Sequence, residues 1–282
     1  MNSSNSSLCS PQAFLQIGLC TSALAVLYYP ALRGLAHDWI NLTDSSPGFF
    51  VPLVSAYLIW KQFDQLCRLP RSPSNSGILL VIFGLILLLL GNQAAEHFTT
   101  RISFLIVLSG LTCYLMGWHH LRLMAFAIAY MAFMVPLPSF LLGNFTFPLQ
   151  LVASKVAAES LQLLGIPVLR EGNLIHLANN TLEVAEACSG LRSLISLLAL
   201  GTIFAYFSQK LFWKRATLVL SCFPIAVIVN ALRVSMTGVL AHYDSLTAAE
   251  SFFHGFSGYV LFIAAFAMMV LVGLILSRVK RT

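Results

Sequence analysis

Long apolar runs separated by short polar stretches dominate this chain. A membrane-spanning helix needs about 20 predominantly apolar residues. The runs predict eight spans, with edges uncertain by several residues, at about 12–32, 47–62, 77–95, 102–117, 121–138, 189–208, 215–240 and 256–277. We therefore expect an all-α fold, that of a polytopic helical membrane protein. The whole chain, 1–282, is interpreted as a single membrane domain in which 1–11 form a disordered tail.

Composition supports a membrane protein and argues against a soluble one. The chain is 58% hydrophobic and only 9% charged, whereas soluble domains carry about 25% charged residues. Its net charge of +6 does not indicate nucleic-acid binding, because basic residues of a membrane protein mainly mark its cytoplasmic loops. We expect membrane lipid around the spans and no nucleic-acid partner.

The basic residues also predict an orientation. They fall in alternate loops and at the C-terminal tail: Lys61, Arg68, Arg71, His119, His120, Arg122, Lys210, Lys214, Arg215, Arg278, Lys280 and Arg281. Placing these in the cytoplasm fits eight spans with both termini inside. The opposite loops then carry acidic residues such as Asp44, Glu96 and Asp244.

The longest predicted outer segment, 139–187, begins with an amphipathic helix. Residues 139–165 have apolar residues at helical spacing, broken by Pro148, and Lys155 and Glu159 are the only charges. We interpret this helix as lying at the outer interface of the membrane. The alternative is a ninth span with a re-entrant partner, which the basic loop around Lys210 argues against.

A small hairpin is predicted after this helix. The stretches 174–177 and 181–184 flank Ala178-Asn179-Asn180, and asparagine tolerates the positive φ of tight turns. The hairpin would deliver the following residues, including Cys188, to the outer membrane surface.

Cys188 stands where a polar, strand-like run meets an apolar helix. The bend Ser189-Gly190 follows it, and the helix is predicted from Leu191 to about Phe207. On a helix, Cys188 and Arg192 would share one face, and a nearby guanidinium favours the nucleophilic thiolate. Alternatively, Cys188 is a small packing residue and Arg192 a snorkelling cation.

Arg233 lies inside the seventh predicted span, with Asn230 one turn away. An arginine within an apolar span costs about 2.5–3.5 kcal/mol on insertion scales, so it usually has a partner or a task. The predicted topology puts Arg233 in the outer half of its span. A purely structural arginine bonded to backbone carbonyls is the alternative.

His254 precedes the eighth predicted span on the same outer side. Histidine is the side chain best suited to proton transfer near neutral pH, although a lone interfacial histidine is often structural. The topology thus brings a thiol, a cation and a proton acceptor to one side, and these are the groups that thiol-dependent acyl transfer requires.

Three blocks at these positions resemble the signatures of one enzyme family. Residues 186–192 read EACSGLR, residues 230–233 read NALR and residues 253–255 read FHG. In order and spacing they are similar to the exosortase/archaeosortase family, and 135–138, VPLP, resembles a further family feature. The resemblance covers about residues 48–278. Histidine rather than arginine at 254 points to the bacterial exosortases.

The resemblance implies a cysteine protease or transpeptidase in the bacterial inner membrane. Its substrates would be secreted proteins with a C-terminal PEP-CTERM-type sorting signal: a Pro-Glu-Pro-like motif, a transmembrane helix and a basic tail. The family assigns the nucleophile, cation and proton-transfer roles to positions matched by Cys188, Arg233 and His254. Residues 188–278 would hold the catalytic site, on the periplasmic side. Glu186, Arg192 and Asn230 are expected to orient the site or hold the peptide.

The same residues also bear on other classes of function. The histidines show no HExxH or comparable ligand spacing, so we expect neither a metal nor another cofactor. A transporter with a midplane site at Arg233 would normally show repeated halves, and none are found. A non-enzymatic scaffold of a polysaccharide or secretion assembly remains an alternative, and the sequence leaves the oligomeric state open.

Overall fold

A computed structural model describes residues 11–41, 48–178, 180–184, 190–243 and 256–279. Helices dominate the described chain, as the hydropathy pattern predicts. The chain divides into two compact units, Met1–Pro138 and Ser139–Thr282. The expectation of a single domain over 1–282 stays a prediction.

The first unit is built of helices joined by short connections. These helices are α1 (Pro11–Leu27), α2 (Tyr29–Asn41), α3 (Phe50–Lys61), α4 (Phe63–Arg68), α5 (Ser76–Gln93), α6 (His97–Met116), α7 (Trp118–Tyr130) and a 3₁₀ helix at Met131–Met134.

A tight hairpin of α5 and α6 forms the centre of this unit. Gly77, Gly84 and Gly91 lie seven residues apart on α5 and face α6, where an added Cβ would collide with backbone or side chains. Small residues on the facing side of a helix let two membrane helices approach closely. The turn ends at Glu96, whose carboxylate caps α6 by accepting hydrogen bonds from the N–H groups of Phe98 (2.9 Å) and Thr99 (2.6 Å).

The hydrogen bonds of the cap also favour the ionised form of the Glu96 carboxyl. Partial burial alone would raise the pKa of this carboxyl, but the hydrogen bonds from Thr99 and Phe98 outweigh it and lower the pKa below its ordinary value. A carboxylate at a helix N-terminus is in addition favoured by the helix dipole. The cap therefore remains charged at neutral pH.

A buried ion pair joins α2 to α6. The side chain of Arg101 is 7% exposed, and its Nη2 atom lies 2.6 Å from Oδ2 of Asp38. Close by, the buried Tyr28 hydroxyl is hydrogen-bonded to Ser103 at 2.9 Å. Arg101, near the start of α6, thus has an acidic structural partner, which is the usual way a buried arginine is accommodated.

The second unit contains helices and a small sheet. Its elements are α8 (Ser139–Leu163), β1 (Leu169–Glu171), β2 (Leu174–His176), β3 (Thr181–Glu183), α9 (Leu191–Ser208), α10 (Phe212–Tyr243) and α11 (Phe256–Arg278). The predicted helix of 139–165 is confirmed as α8, with Pro148 inside it. Its position at a membrane interface stays a prediction.

The predicted hairpin is confirmed but is part of a larger sheet. Strands β2 and β3 pair antiparallel, with Ile175 opposite Leu182. Strand β1 pairs with the other side of β2, so the order is β1-β2-β3. Gly172, at φ +64°, occupies the first central position of the β1–β2 turn, where a type II′ turn requires positive φ.

Buried apolar residues fix this sheet against α8. Ile175, Leu182 and Val184 pack with Ala157 and Leu161 of that helix. Hydrogen bonds hold the two turns: the Ser154 hydroxyl donates to Gly172 O at 2.8 Å, and the Asn180 amide donates to Ala241 O of α10 at 3.1 Å. The sheet is therefore clamped between α8 and α10.

Helices α9, α10 and α11 form a bundle with its own apolar core, centred on Leu197, Leu218, Cys222 and Met269. Polar side chains tie one end of this bundle together. The Gln209 amide donates to Gly273 O at 2.9 Å, and the Lys214 ammonium donates to Val279 O at 2.8 Å. Side-chain hydrogen bonds to the carbonyls of Gly273 and Val279 thus hold this end of the bundle, which we call its basic end because Lys214 and Arg215 lie there.

The number of spans differs from the predicted eight. Within the described ranges, four helices are long and apolar enough to cross a membrane, or five if the bent pair α1–α2 counts as one span. The predicted span 12–32 is broken by a 67° bend between α1 and α2, next to Pro30, which has no N–H for a helical bond. The predicted span 47–62 is the 12-residue α3, short for a bilayer. The count of eight is therefore not confirmed.

Candidate functional site

Helix α10 carries two of the candidate residues on one face. Asn230 is 5% exposed and Arg233 is half-buried. Residues three apart on a helix point the same way. This face of α10 turns towards α9 and α11 rather than away from the unit.

The three helices enclose a small cavity beside Arg233. Its volume is about 30 Å³, enough to hold a water molecule, which needs about 10–15 Å³. Ser193, Asn230 and Arg233 supply its polar wall, and apolar residues of α10 and α11 supply most of the rest. Gly258, in the first turn of α11, also lines it. The first turns of α9 and α11 therefore meet the Asn230–Arg233 face of α10.

Gly190 brings the start of α9 against α10. It has φ +77°, in the left-handed region, and its carbonyl accepts hydrogen bonds from Leu194 N (2.9 Å) and the Ser193 hydroxyl (2.8 Å). A Cβ at this position would lie 2.8 Å from Cγ of Asn230. Both the backbone conformation and the close approach therefore require glycine here.

If the chain has the enzymatic activity that its sequence resemblance implies, replacing Gly190 by alanine should strongly reduce it. The left-handed conformation costs a non-glycine residue about 1–2 kcal/mol, and the added methyl must also displace Asn230. Gly165→Ala is the matched control, because Gly165 has a similar φ of +79° and nothing within 4 Å of an added Cβ. Both variants should lose some stability in a detergent melting experiment, but only Gly190→Ala should lose substrate processing by more than about tenfold, equivalent to 1.4 kcal/mol. Equal processing by the two would contradict a special role for the Gly190–Asn230 contact.

The remaining candidate residues divide into two groups. Cys188, Glu186 and His254 lie outside the described residues. Arg192 lies in the first turn of α9, but its side chain is not among those described. The predicted start of α9 at Leu191 is confirmed. Helix α9 begins at Leu191 with the left-handed Gly190 as its N-cap, and the expectation that Cys188 and Arg192 share a helical face stays a prediction, since Cys188 lies outside the described residues.

Sequence reasoning missed Ser193 and Gly258 as cavity-lining residues. Ser193 follows Cys188 by five positions and Gly258 follows His254 by four. Neither residue type carries a chemical signal by itself. Only their membership of blocks near Cys188 and His254 could have drawn attention to them.

A larger cavity lies on the other face of α10. It measures about 520 Å³ and is bounded mainly by apolar side chains of α8 and α10, such as Val156, Leu232 and Met236. Of the candidate residues whose side chains the structure describes, neither Asn230 nor Arg233 lines it. Among the residues that the structure describes, no group of three histidine, cysteine or acidic side chains could hold a metal ion.

Comparison with known proteins identifies a family without identifying a near relative. Neither the curated proteins nor the solved structures contain a significant match to this chain. A family model, however, described as transmembrane exosortase, matches residues 39–271, which include the first turns of α9 and α11 and the Asn230–Arg233 face of α10. On that match over most of its length, the chain belongs to the transmembrane exosortase family.

Proposed function

We propose that this protein is a membrane-embedded cysteine protease or transpeptidase that cleaves the C-terminal sorting signal of secreted proteins. The observation that carries the proposal is the shared cavity. The helix starts nearest to Cys188 and His254 in sequence line it together with Arg233 and Asn230. Family membership independently favours a membrane protease or transpeptidase. The substrate signal we propose is of the PEP-CTERM type.

In the proposed mechanism Cys188 is the nucleophile. Its thiolate attacks the carbonyl carbon of the scissile peptide bond and forms a carbon–sulfur bond, and negative charge develops on the carbonyl oxygen. Arg233 stabilises this charge with directed N–H donors, a role suited to a planar guanidinium in a small, water-poor site. His254 takes the thiol proton before the attack and gives it to the leaving amine when the carbon–nitrogen bond breaks.

The thioester on Cys188 then reacts with a second nucleophile. Water would release a shortened protein, and an amine on an acceptor would give a transfer product. Asn230 is buried beside Arg233 and is proposed to position it. Glu186 and Arg192 are proposed to orient the site or hold the peptide.

The basic end of the bundle supports a site on the outer side of the inner membrane. Lys214 and Arg215 lie near the start of α10, and Arg278 ends α11. Arg233 follows Lys214 by 19 residues, about 28 Å along a helix at 1.5 Å per residue, which is close to the thickness of a bilayer core. If basic residues mark the cytoplasm, Arg233 lies near the opposite face.

Co-expression with a designed substrate tests the proposed function. The reporter is a secreted, tagged protein ending in a Pro-Glu-Pro motif, a transmembrane helix and a basic tail, and a second reporter carries the same tail with the motif scrambled. We expect an immunoblot size shift for the intact signal only, in a bacterial host that does not itself cleave the reporter. An unshifted reporter beside a well-expressed, membrane-inserted protein would refute the proposed activity.

A further inference from the structure

Strand β3 leaves one of its two edges unpaired among the described residues. Leu177 N donates to Asn180 O at 2.7 Å and Val184 N donates to Asn173 O at 2.9 Å, so these are hydrogen-bonded pairs of the β2–β3 ladder. Paired residues alternate in an antiparallel ladder. Thr181 and Glu183 therefore turn their backbone N–H and C=O groups away from β2, to the free edge.

This edge is exposed and rigidly supported. Thr181 and Glu183 are exposed while Leu182 between them is buried in the core of the unit. The turn before β3 is fixed to α10 through Asn180 and Ala241. An exposed edge with free backbone groups is a template on which another extended chain can pair, and here the template is held in place.

We propose that an extended segment of the protein substrate pairs with the free edge of β3 as a fourth strand. This inference rests on the proposed function. The occupant follows from chain connectivity, because Cys188 comes five residues after Glu183, a span of at most about 18 Å in extended chain. A peptide paired with β3 is thereby brought within reach of the nucleophile. The opposite edge, on β1, has no such connection.

Strand addition would give this protease a way to bind varied substrates. Backbone hydrogen bonds supply affinity that does not depend on side chains, and specificity comes from the alternate side chains and from the rest of the signal. The exposed side chains of Thr181 and Glu183 lie on the face that the substrate's outward side chains would share. The substrate segment is therefore held in register before the scissile bond reaches Cys188.

Thr181→Pro tests the edge and keeps the backbone ladder to β2, although it removes the hydrogen bond of 3.0 Å between the Thr181 hydroxyl and His176 Nδ1. Proline removes an N–H that points away from β2, and edge strands tolerate proline at such positions. Losing one backbone hydrogen bond to substrate should slow processing of the reporter about 3- to 10-fold. Arg170→Pro is the matched control, since Arg170 lies opposite Ile175 and likewise turns its N–H to a free edge, that of β1. It also loses the guanidinium bonds to Ser154 and Gly172, yet it should change processing less than about twofold.

Photo-crosslinking provides a readout that a folding defect does not imitate. A photoreactive amino acid is placed at position 181 or at position 170 in a Cys188→Ser background, with the reporter co-expressed. We expect a crosslinked enzyme–reporter band from position 181 and none from position 170. Crosslinking from both positions alike, or from neither while the wild type processes the reporter, would overturn strand pairing. A wild type that leaves the reporter uncut would instead overturn the proposed function and this inference with it.

Discussion

Replacing Cys188 by serine is expected to reduce reporter cleavage to background while the protein still inserts in the membrane. A thiolate is readily formed and strongly nucleophilic, whereas a serine hydroxyl must be deprotonated by a base placed for that purpose. If the site relies on an easily ionised thiol, the hydroxyl that replaces it is not activated. Processing is measured by immunoblot over time, with membrane levels of each variant compared.

Cys20→Ser is the control for Cys188→Ser. Cys20 is a free, partly exposed cysteine of α1 in the first unit, so the same exchange there should leave processing unchanged. Complete processing by a well-expressed Cys188→Ser variant would end the cysteine-protease interpretation. It would favour a transporter or a scaffold, the two other classes of function that the sequence allows.

Arg233→Lys is expected to retain little activity although it retains the charge. Lysine offers a flexible ammonium in place of a planar fork of donors. If Arg233 directs hydrogen bonds at an oxyanion, losing one such donor should cost roughly 100- to 1000-fold in the rate of cleavage. The measurement is single-turnover cleavage of a purified reporter by purified enzyme in detergent or nanodiscs.

Arg215→Lys is the matched exchange at the other end of the same helix. Arg215 Nε donates to Gln209 O at 2.7 Å and Nη2 donates to Tyr206 O at 3.2 Å. A lysine at this position therefore also loses two directed hydrogen bonds. Its distance from Arg233, 18 residues or about 27 Å along α10, should confine the effect to stability. Activity of Arg233→Lys close to that of Arg215→Lys would show that the directed donors of Arg233 are not needed.

The long helices could be predicted because a membrane-spanning helix has a simple sequence pattern, a long run of apolar residues. The apolar runs that predict spans 77–95, 102–117, 215–240 and 256–277 correspond to α5, α6, α10 and α11. In such runs hydropathy alone predicts a helix, since every backbone polar group in the bilayer core must be hydrogen-bonded within the segment. The start of α9 was equally readable, because Gly190 is the residue type that a left-handed helix start requires.

The features that were missed depend on contacts between residues far apart in sequence. Strand β1 is three exposed residues whose only strand signal is its pairing with β2. The bend after α1 accompanies the fully buried Tyr28 and its bond to Ser103, 75 residues away. The approach of Gly190 to Asn230 spans 40 positions of sequence. Periodicity describes single elements and carries no information about such pairs.

The small volume between α9, α10 and α11 has a mechanical consequence. The cavity of about 30 Å³ is too small for a peptide group, so a substrate carbonyl that entered it to meet Arg233 would have to push these close-packed helices apart. Protein interiors resist such changes and transmit them outward, and the exposed apolar side chains of α10 and α11, such as Leu232, Ile263 and Leu274, are expected to face the bilayer. Part of the work of opening is therefore done against lateral pressure in the lipid. Turnover is expected to depend on acyl-chain order and membrane fluidity as well as on the sorting signal.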